Sequence, residues 1–122
     1  MSAVINQIQL SGRAGHPPDL RHLSDGTELA RLRLYHDAPD HSGRIVSVPY
    51  SLVGWGPVAV ALHRGVRRGD RLLIVGSLVL RRHLREGQEV THPEIKVTQF
   101  FRLGGPRPQT ETATAEVLGG GR

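Results

Sequence analysis

Apolar and polar side chains alternate in five separate stretches of this 122-residue chain. Alternation at period two is typical of β-strands that bury one face, and it occurs at residues 4–14, 28–36, 44–55, 71–82 and 90–103. The one short helical stretch, PVAVALHRGV from Pro57, comes between the third and fourth of these. A chain of this length has room for one domain, so this order of elements limits how it can be built.

Three strands, a short helix and two further strands make up the pattern of the OB-fold, a five-stranded Greek-key barrel. Gly76 interrupts the fourth stretch and predicts a bend or bulge. Pro49 lies inside the third stretch and predicts an edge or bulge position, since proline donates no ladder hydrogen bond. A turn or loop is predicted at residues 16–19, and a Ser-Asp-Gly turn signal lies within residues 21–27. Loops are predicted at 37–43 and at 83–89, the last with Glu86-Gly87 as its turn.

The predicted architecture is therefore all-β. An OB-fold covers residues 1–103, and residues 104–122 form a disordered tail, because they are rich in glycine, proline and threonine and nearly lack apolar residues. The tail has no acidic tip.

Composition excludes several classes of function. The chain contains no cysteine, which removes disulfides and thiolate chemistry. Its seven histidines are scattered without metal-ligand spacing, so we expect no metal site. It has neither a serine elbow nor a phosphate-binding lysine loop, and we predict no enzyme and no cofactor. Without a long apolar run or a signal peptide at the start, the expected location is the cytoplasm.

The charge of the chain points to a polyanion. Lysine and arginine number 16 against 11 acidic residues, and all but Lys96 of the basic residues are arginine. Four charged residues beyond residue 103 cancel one another, which leaves the whole excess of +5 in the predicted barrel. Arginine favours bidentate contact with phosphate and stacking on flat rings. A solvated arginine-rich surface is the alternative explanation.

A family resemblance begins at residues 6–37, NQIQLSGRAGHPPDLRHLSDGTELARLRLYHD, and continues through YSLVGWGPVAVAL and RRGDRLLIVGSL. These segments resemble bacterial single-stranded-DNA-binding proteins over about residues 4–103. The matching positions in the first segment are Asn6, Gly12, Gly15, Pro18, Asp19, Leu20, Arg21, Gly26, Leu32 and Leu34. The resemblance implies an OB-fold homotetramer, cytoplasmic and nucleoid-associated. It would bind single-stranded DNA with little sequence preference during replication, recombination or repair.

Two departures from the family pattern are visible. The family's base-stacking aromatic positions fall on Asp40, Pro49, Trp55 and His83, where only Trp55 is a strong stacker and His83 is a flat ring that can partly substitute. The family's tail commonly ends in an acidic tip with a terminal aromatic that recruits replication and repair proteins. This chain ends in AEVLGGGR, which puts such partners in doubt.

Single-strand binding needs cations for phosphates and flat surfaces for bases. Alternation places Arg31, Arg33 and Tyr35 on one face of the second strand. A second basic cluster lies where the fourth strand enters its loop. We predict one groove from both clusters, with Trp55 nearby and two arginines at its edge. The predicted DNA-binding residues are Arg13, Arg21, Arg31, Arg33, Tyr35, Trp55, Arg81, Arg82, His83 and Arg85.

Other interpretations stay open at this point. Trp55 could instead be a core or interface aromatic. The primosomal replication protein N family shares the fold and has few stacking residues; it implies a dimer, weaker single-strand binding and a helicase or primosome partner. A third possibility is an OB-fold module that binds proteins and no nucleic acid.

Overall fold

The computed structural model describes residues 3–106 of the chain. Within them lie β1 (Ile8–Ala14), β2 (Asp19–His22), β3 (Glu28–Pro39), β4 (Ile45–Trp55), α1 (Pro57–Gly65), β5 (Arg71–Arg85) and β6 (Gln88–Gly104). The five long strands and the helix before β5 follow the predicted order. The short β2 is an additional strand that pairs with β3.

The sheet closes on itself to form a barrel. Its strands are hydrogen-bonded in the order β1-β5-β6-β4-β3-β2, and β1 also pairs with β3, where Ala14 lies opposite Leu34. Strands β4 and β6 run parallel where Leu52 lies opposite Ile95, and the other pairs are antiparallel. This closed barrel with one helix confirms the predicted OB-fold.

The barrel interior holds the apolar residues of each alternating strand. In β3, Ala30, Leu32 and Leu34 are buried, whereas the residues between them face outward. The helix adds Ala59 and Leu62 to the same core. Burying one such leucine contributes about 1.5–3 kcal/mol, so this alternation fixes which face of each strand is left for function.

Two of the predicted loops were too long. Strand β3 continues to Pro39, and β5 continues to Arg85, inside the loop predicted at residues 83–89. Glu86 and Gly87 alone make the second turn, with φ of 52° and 80°. Positive φ at both positions suits a two-residue turn whose twist matches that of paired strands. The result is one long β5–β6 hairpin.

Strand β2 was also missed, since residues 16–19 were predicted to be a turn or loop and residues 21–27 to contain a turn. It pairs with β3 so that Asp19 lies opposite Arg31 and His22 opposite Glu28. Four mostly polar residues give no alternation to detect, and the strand exists because β3 offers it a ladder partner.

The first strand begins later than the prediction of residues 4–14. Before Ile8, the Asn6 side chain makes the hydrogen bonds to β5 that a strand backbone would otherwise make. Its Nδ2 donates to the Leu78 carbonyl and its Oδ1 accepts from the Leu78 N–H, both at 2.8 Å. A side-chain amide thus pairs this segment to β5 as a backbone peptide would.

The predicted irregularities at Gly76 and Pro49 are both confirmed. Val75 lies opposite Gln99 but Gly76 lies opposite Val97, so β6 carries one extra residue at a bulge. Pro49 lies in the part of β4 that pairs, among the described residues, with β3 and not with β6. An edge position tolerates its missing N–H.

Asp70 is a buried carboxylate in the turn before β5. Its Oδ2 accepts a hydrogen bond from the Arg67 backbone N–H at 2.8 Å and lies 3.1 Å from Arg102 Nε. Burial raises the pKa of Asp70, but these two partners outweigh it and hold the pKa below the ordinary 3.8. The charged form therefore stabilises the fold.

Replacing Asp70 with asparagine should lower the free energy of unfolding by about 2 kcal/mol at neutral pH, because a charged hydrogen-bond partner is lost. The folded-state pKa lies below the unfolded one, so this contribution is complete above the unfolded value and is lost as the pH falls below about 4. Urea unfolding at about pH 7 and about pH 3 measures both variants. Their difference should narrow in acid, and an unchanged difference would contradict the charged role.

The predicted tail lies almost wholly outside the described residues, which end at Pro106. Strand β6 ends at Gly104, close to the predicted boundary. Within residues 3–106, no helix has the length and apolar character needed to cross a membrane.

Candidate nucleic-acid interface

Three of the predicted arginines line one groove on the outside of the barrel, which we name the arginine groove. Arg31 and Arg33 come from β3 and Arg81 from β5, around an open volume of about 190 Å³. Arg31 and Arg33 face outward because the residues that alternate with them in β3 are buried, and the Arg81 side chain is 44% exposed. One residue of the second predicted cluster, Arg81, therefore meets Arg31 and Arg33 of the first at this groove.

Glu94 of β6 also lines the arginine groove, and sequence reasoning missed it. Its Oε2 forms an ion pair with Arg31 and lies 3.2 Å from Arg81 Nε. Three arginines and one glutamate leave the groove with a net charge of +2. A single glutamate in an alternating strand has no pattern that would have revealed this position.

His16 is a second missed residue of the arginine groove. Its Nε2 accepts a hydrogen bond from the Arg33 backbone N–H at 3.1 Å, and its Nδ1 donates to the Pro17 carbonyl at 2.7 Å. These bonds fix the segment between β1 and β2 beside Arg33. One histidine among seven in a proline-containing loop gave no specific signal.

Trp55 lies on the same outer face as Arg31 and is 40% exposed, so it is not part of the buried core. Its partner on β3 is Leu29, two residues before Arg31. The strand rise places it about 7 Å along the sheet from the row of Arg31. An exposed indole beside arginines offers a flat surface for a base.

Tyr35 lies at the opposite end of the same face of β3, about 20 Å from the row of Trp55. The two glycines of Gly12-x-x-Gly15 make room for it. A Cβ on Gly12 would stand 2.4 Å from the Tyr35 carbonyl oxygen, and one on Gly15 would stand 2.4 Å from Tyr35 Cε2. The tyrosine ring therefore packs against Gly15 and is only partly exposed.

The two edge arginines differ in how far they are available. The Arg13 Nη1 donates to the carbonyls of Gly69 and Gly105 at 3.0 and 3.2 Å, which ties it to its own chain. Arg21, on β2, lies opposite Leu29 of β3. Its side chain is exposed, and its Nε is 3.3 Å from Asp19 Oδ2. Such an exposed ion pair contributes little, so Arg21 is readily released.

The β5–β6 hairpin continues the basic surface beyond the groove. Because side chains alternate along β5, His83 and Arg85 share the face of Arg81, whereas Arg82 lies on the opposite face. The structure thus separates Arg82 from the cluster in which the sequence placed it. The predicted loop at residues 83–89 had hidden this alternation.

His83 stacks on His92, with ring centroids 4.8 Å apart and planes 15° from parallel. Desolvation, followed by the nearby His92, Arg81 and Arg85, lowers the pKa of His83. The ring is therefore neutral near pH 7 and has one face already covered. Within residues 3–106, no three histidine, cysteine or carboxylate side chains are grouped as a metal site would require.

A second depression adjoins the arginine groove, and we name it the apolar hollow. Its volume is about 410 Å³, and Ser51 and Glu94 line both depressions. Its remaining lining residues are Ile8, Leu10, Pro49, Tyr50, Leu78, Pro93 and Ile95. The face of the barrel therefore changes from cationic to apolar within one continuous surface.

Comparison with known proteins gives two matches. The model of the Single-strand binding protein family matches residues 5–103. Single-stranded DNA-binding protein 2 of Nostoc sp. is 29% identical over 113 residues, which cover 91% of this chain and 87% of that protein.

Proposed function

This chain belongs to the Single-strand binding protein family, and from that premise we propose that it binds single-stranded DNA with little sequence preference. The observation that carries the proposal is the arginine groove with Trp55 on the same face. Guanidinium groups contact phosphates, and an indole stacks on any base. Neither contact reads the edge of a base, which accounts for the low preference.

We propose further that the protein covers exposed strands in the cytoplasm, associated with the nucleoid, during replication, recombination or repair. It does so without catalysis, metal or cofactor. Support comes from the position of the arginine groove on the outer face of the barrel, where a bound strand would lie at the surface and be free to dissociate. Replication and repair proteins are candidate partners.

We infer that copies of the chain assemble, as a tetramer in preference to a dimer. Large apolar side chains remain exposed on the barrel and hairpin, among them Leu80, Leu84 and Phe101. The apolar hollow adds to this surface. Exposed apolar area of this kind marks association surfaces. Light scattering after size-exclusion chromatography measures the mass of the assembly directly.

Replacing Trp55 with alanine should raise the Kd for a labelled oligo-dT strand about tenfold, since one stacked base contributes about 1–3 kcal/mol. Fluorescence anisotropy measures the Kd, and light scattering of the same sample measures assembly. Weaker binding by an intact assembly supports stacking. Unchanged affinity with a smaller assembly would instead make Trp55 an interface residue.

A second candidate function is protein binding by the same barrel, either as a primosomal adaptor or as an interaction module without nucleic acid. The apolar hollow favours it, because it could receive apolar side chains of a partner. Titration of the wild type with oligo-dT separates these functions. An interaction module would show no complex at any salt concentration, whereas a primosomal adaptor would bind weakly and as a dimer.

A further inference from the structure

Glu94 is a buried acidic residue in a surface proposed to bind a polyanion, and that combination needs a reason. Its side chain is 6% exposed, while those of Arg31 and Arg81 are 35% and 44% exposed. A carboxylate usually lowers affinity for DNA by repelling phosphate. The buried carboxylate of Glu94, however, lies between Arg31 and Arg81 and attracts both guanidinium groups.

Arg31 and Arg81 come from strands that are not hydrogen-bonded to each other, and Glu94 joins them. Two guanidinium groups this close repel each other, and the shared carboxylate offsets that repulsion. Each arginine loses side-chain freedom when it is held in this way. The entropy is therefore lost on folding and is not lost again on binding, which preorganises the site.

Each arginine contacts Glu94 through one nitrogen, which leaves its other N–H groups able to bind phosphate. Arg81 faces Glu94 through Nε, and Arg31 faces it through one Nη. A guanidinium has five N–H donors, so most of those on each arginine remain for another acceptor. Because the carboxylate is the most buried of the three groups, a phosphate arriving from solvent meets the guanidinium groups first.

We propose that Glu94 is a positioning residue that holds Arg31 and Arg81 side by side to receive one phosphate of the strand. This inference rests on the proposed single-strand binding. It predicts that removing a negative charge from the groove weakens the binding of DNA. Simple electrostatics, in which Glu94 competes with phosphate for the arginines, predicts the opposite sign.

The test is the variant Glu94→Gln, with the Kd for oligo-dT measured by anisotropy over a series of salt concentrations. Positioning predicts a Kd about tenfold higher than that of the wild type. It also predicts a log–log salt slope shallower by about 0.7, because one phosphate is no longer neutralised. Loss of folded protein alone would lower the active fraction and leave the slope unchanged.

Asp25→Asn is the matched control, because it removes one negative charge from the β2–β3 turn, outside the arginine groove. The amide oxygen of the new asparagine can still accept the hydrogen bond from the Thr27 N–H. Its Kd should equal that of the wild type or be slightly lower. If Glu94→Gln does not fold, Glu94→Asp keeps the charge but withdraws the carboxylate, and it too should bind more weakly.

Two results would overturn the inference while leaving the proposed function intact. In the first, the wild type binds oligo-dT and Glu94→Gln binds it equally or more tightly. In the second, Glu94→Gln still weakens binding when Arg31 and Arg81 are both alanine, because an effect through those arginines must vanish in their absence. Failure of the wild type itself to bind would refute the proposed function and the inference together.

Discussion

A variant with alanine in place of Gly76 should be about 3 kcal/mol less stable than the wild type, with urea unfolding as the measurement. At this bulge β6 passes so close that a Cβ would stand 2.1 Å from the Lys96 carbonyl oxygen and 2.9 Å from its carbonyl carbon. Both are backbone atoms of a paired strand and cannot rotate away. The two strands must separate, which disturbs the longest ladder of the barrel.

Gly104→Ala is the matched control for Gly76, since a Cβ at Gly104 meets no atom within 4 Å from residues 3–106 other than its chain neighbours. Its free energy of unfolding should stay within about 0.5 kcal/mol of the wild-type value. Equal stability of the two variants would show that the close approach of β5 and β6 at Gly76 does not exist in solution.

The double variant Arg33→Ala, Arg81→Ala should bind oligo-dT about a hundredfold more weakly than the wild type. Each arginine supplies charge-assisted hydrogen bonds to phosphate, and two such losses amount to about 3 kcal/mol. The log–log salt slope should become shallower by about 1.4, at about 0.7 for each phosphate released. Anisotropy at several salt concentrations measures both quantities.

Arg82→Ala is the control for this pair of substitutions. It removes one positive charge from the same hairpin as Arg81→Ala, but from the opposite face. Its Kd should rise by no more than about threefold, from the loss of one distant charge. Arg81→Ala alone should raise the Kd about tenfold. An equal rise with Arg82→Ala would mean that net charge, and not the arginine groove, holds the strand.

Much of the barrel was predictable because alternation is a local property. The outward face with Arg31, Arg33 and Tyr35 followed from the burial of the leucines between them. The bulge at Gly76 followed from the one glycine in an otherwise apolar strand. Each of these predictions needed only residues adjacent in sequence.

The parts of the site that could not be predicted depend on contacts between distant segments. Arg31 and Glu94 are 63 positions apart and meet only because the barrel closes. The separation of Arg82 from Arg81 depended on β5 continuing to Arg85, through a turn made by Glu86 and Gly87. The sequence placed the turn correctly at Glu86 and Gly87, but the pairing of residues 83–85 with β6 depends on a partner strand and was missed.

The central claim is that this barrel binds single-stranded DNA through its arginines and its one tryptophan. Titrating the wild type with oligo-dT of a few dozen nucleotides, while following Trp55 fluorescence at several salt concentrations, tests it most directly. We expect quenching, and an affinity that falls with salt at a log–log slope of about −1.4 or steeper. Arg33 neutralises one phosphate and Arg31 and Arg81 share another, at about −0.7 each. No quenching, together with no complex in a gel-shift assay at low salt, would contradict the account.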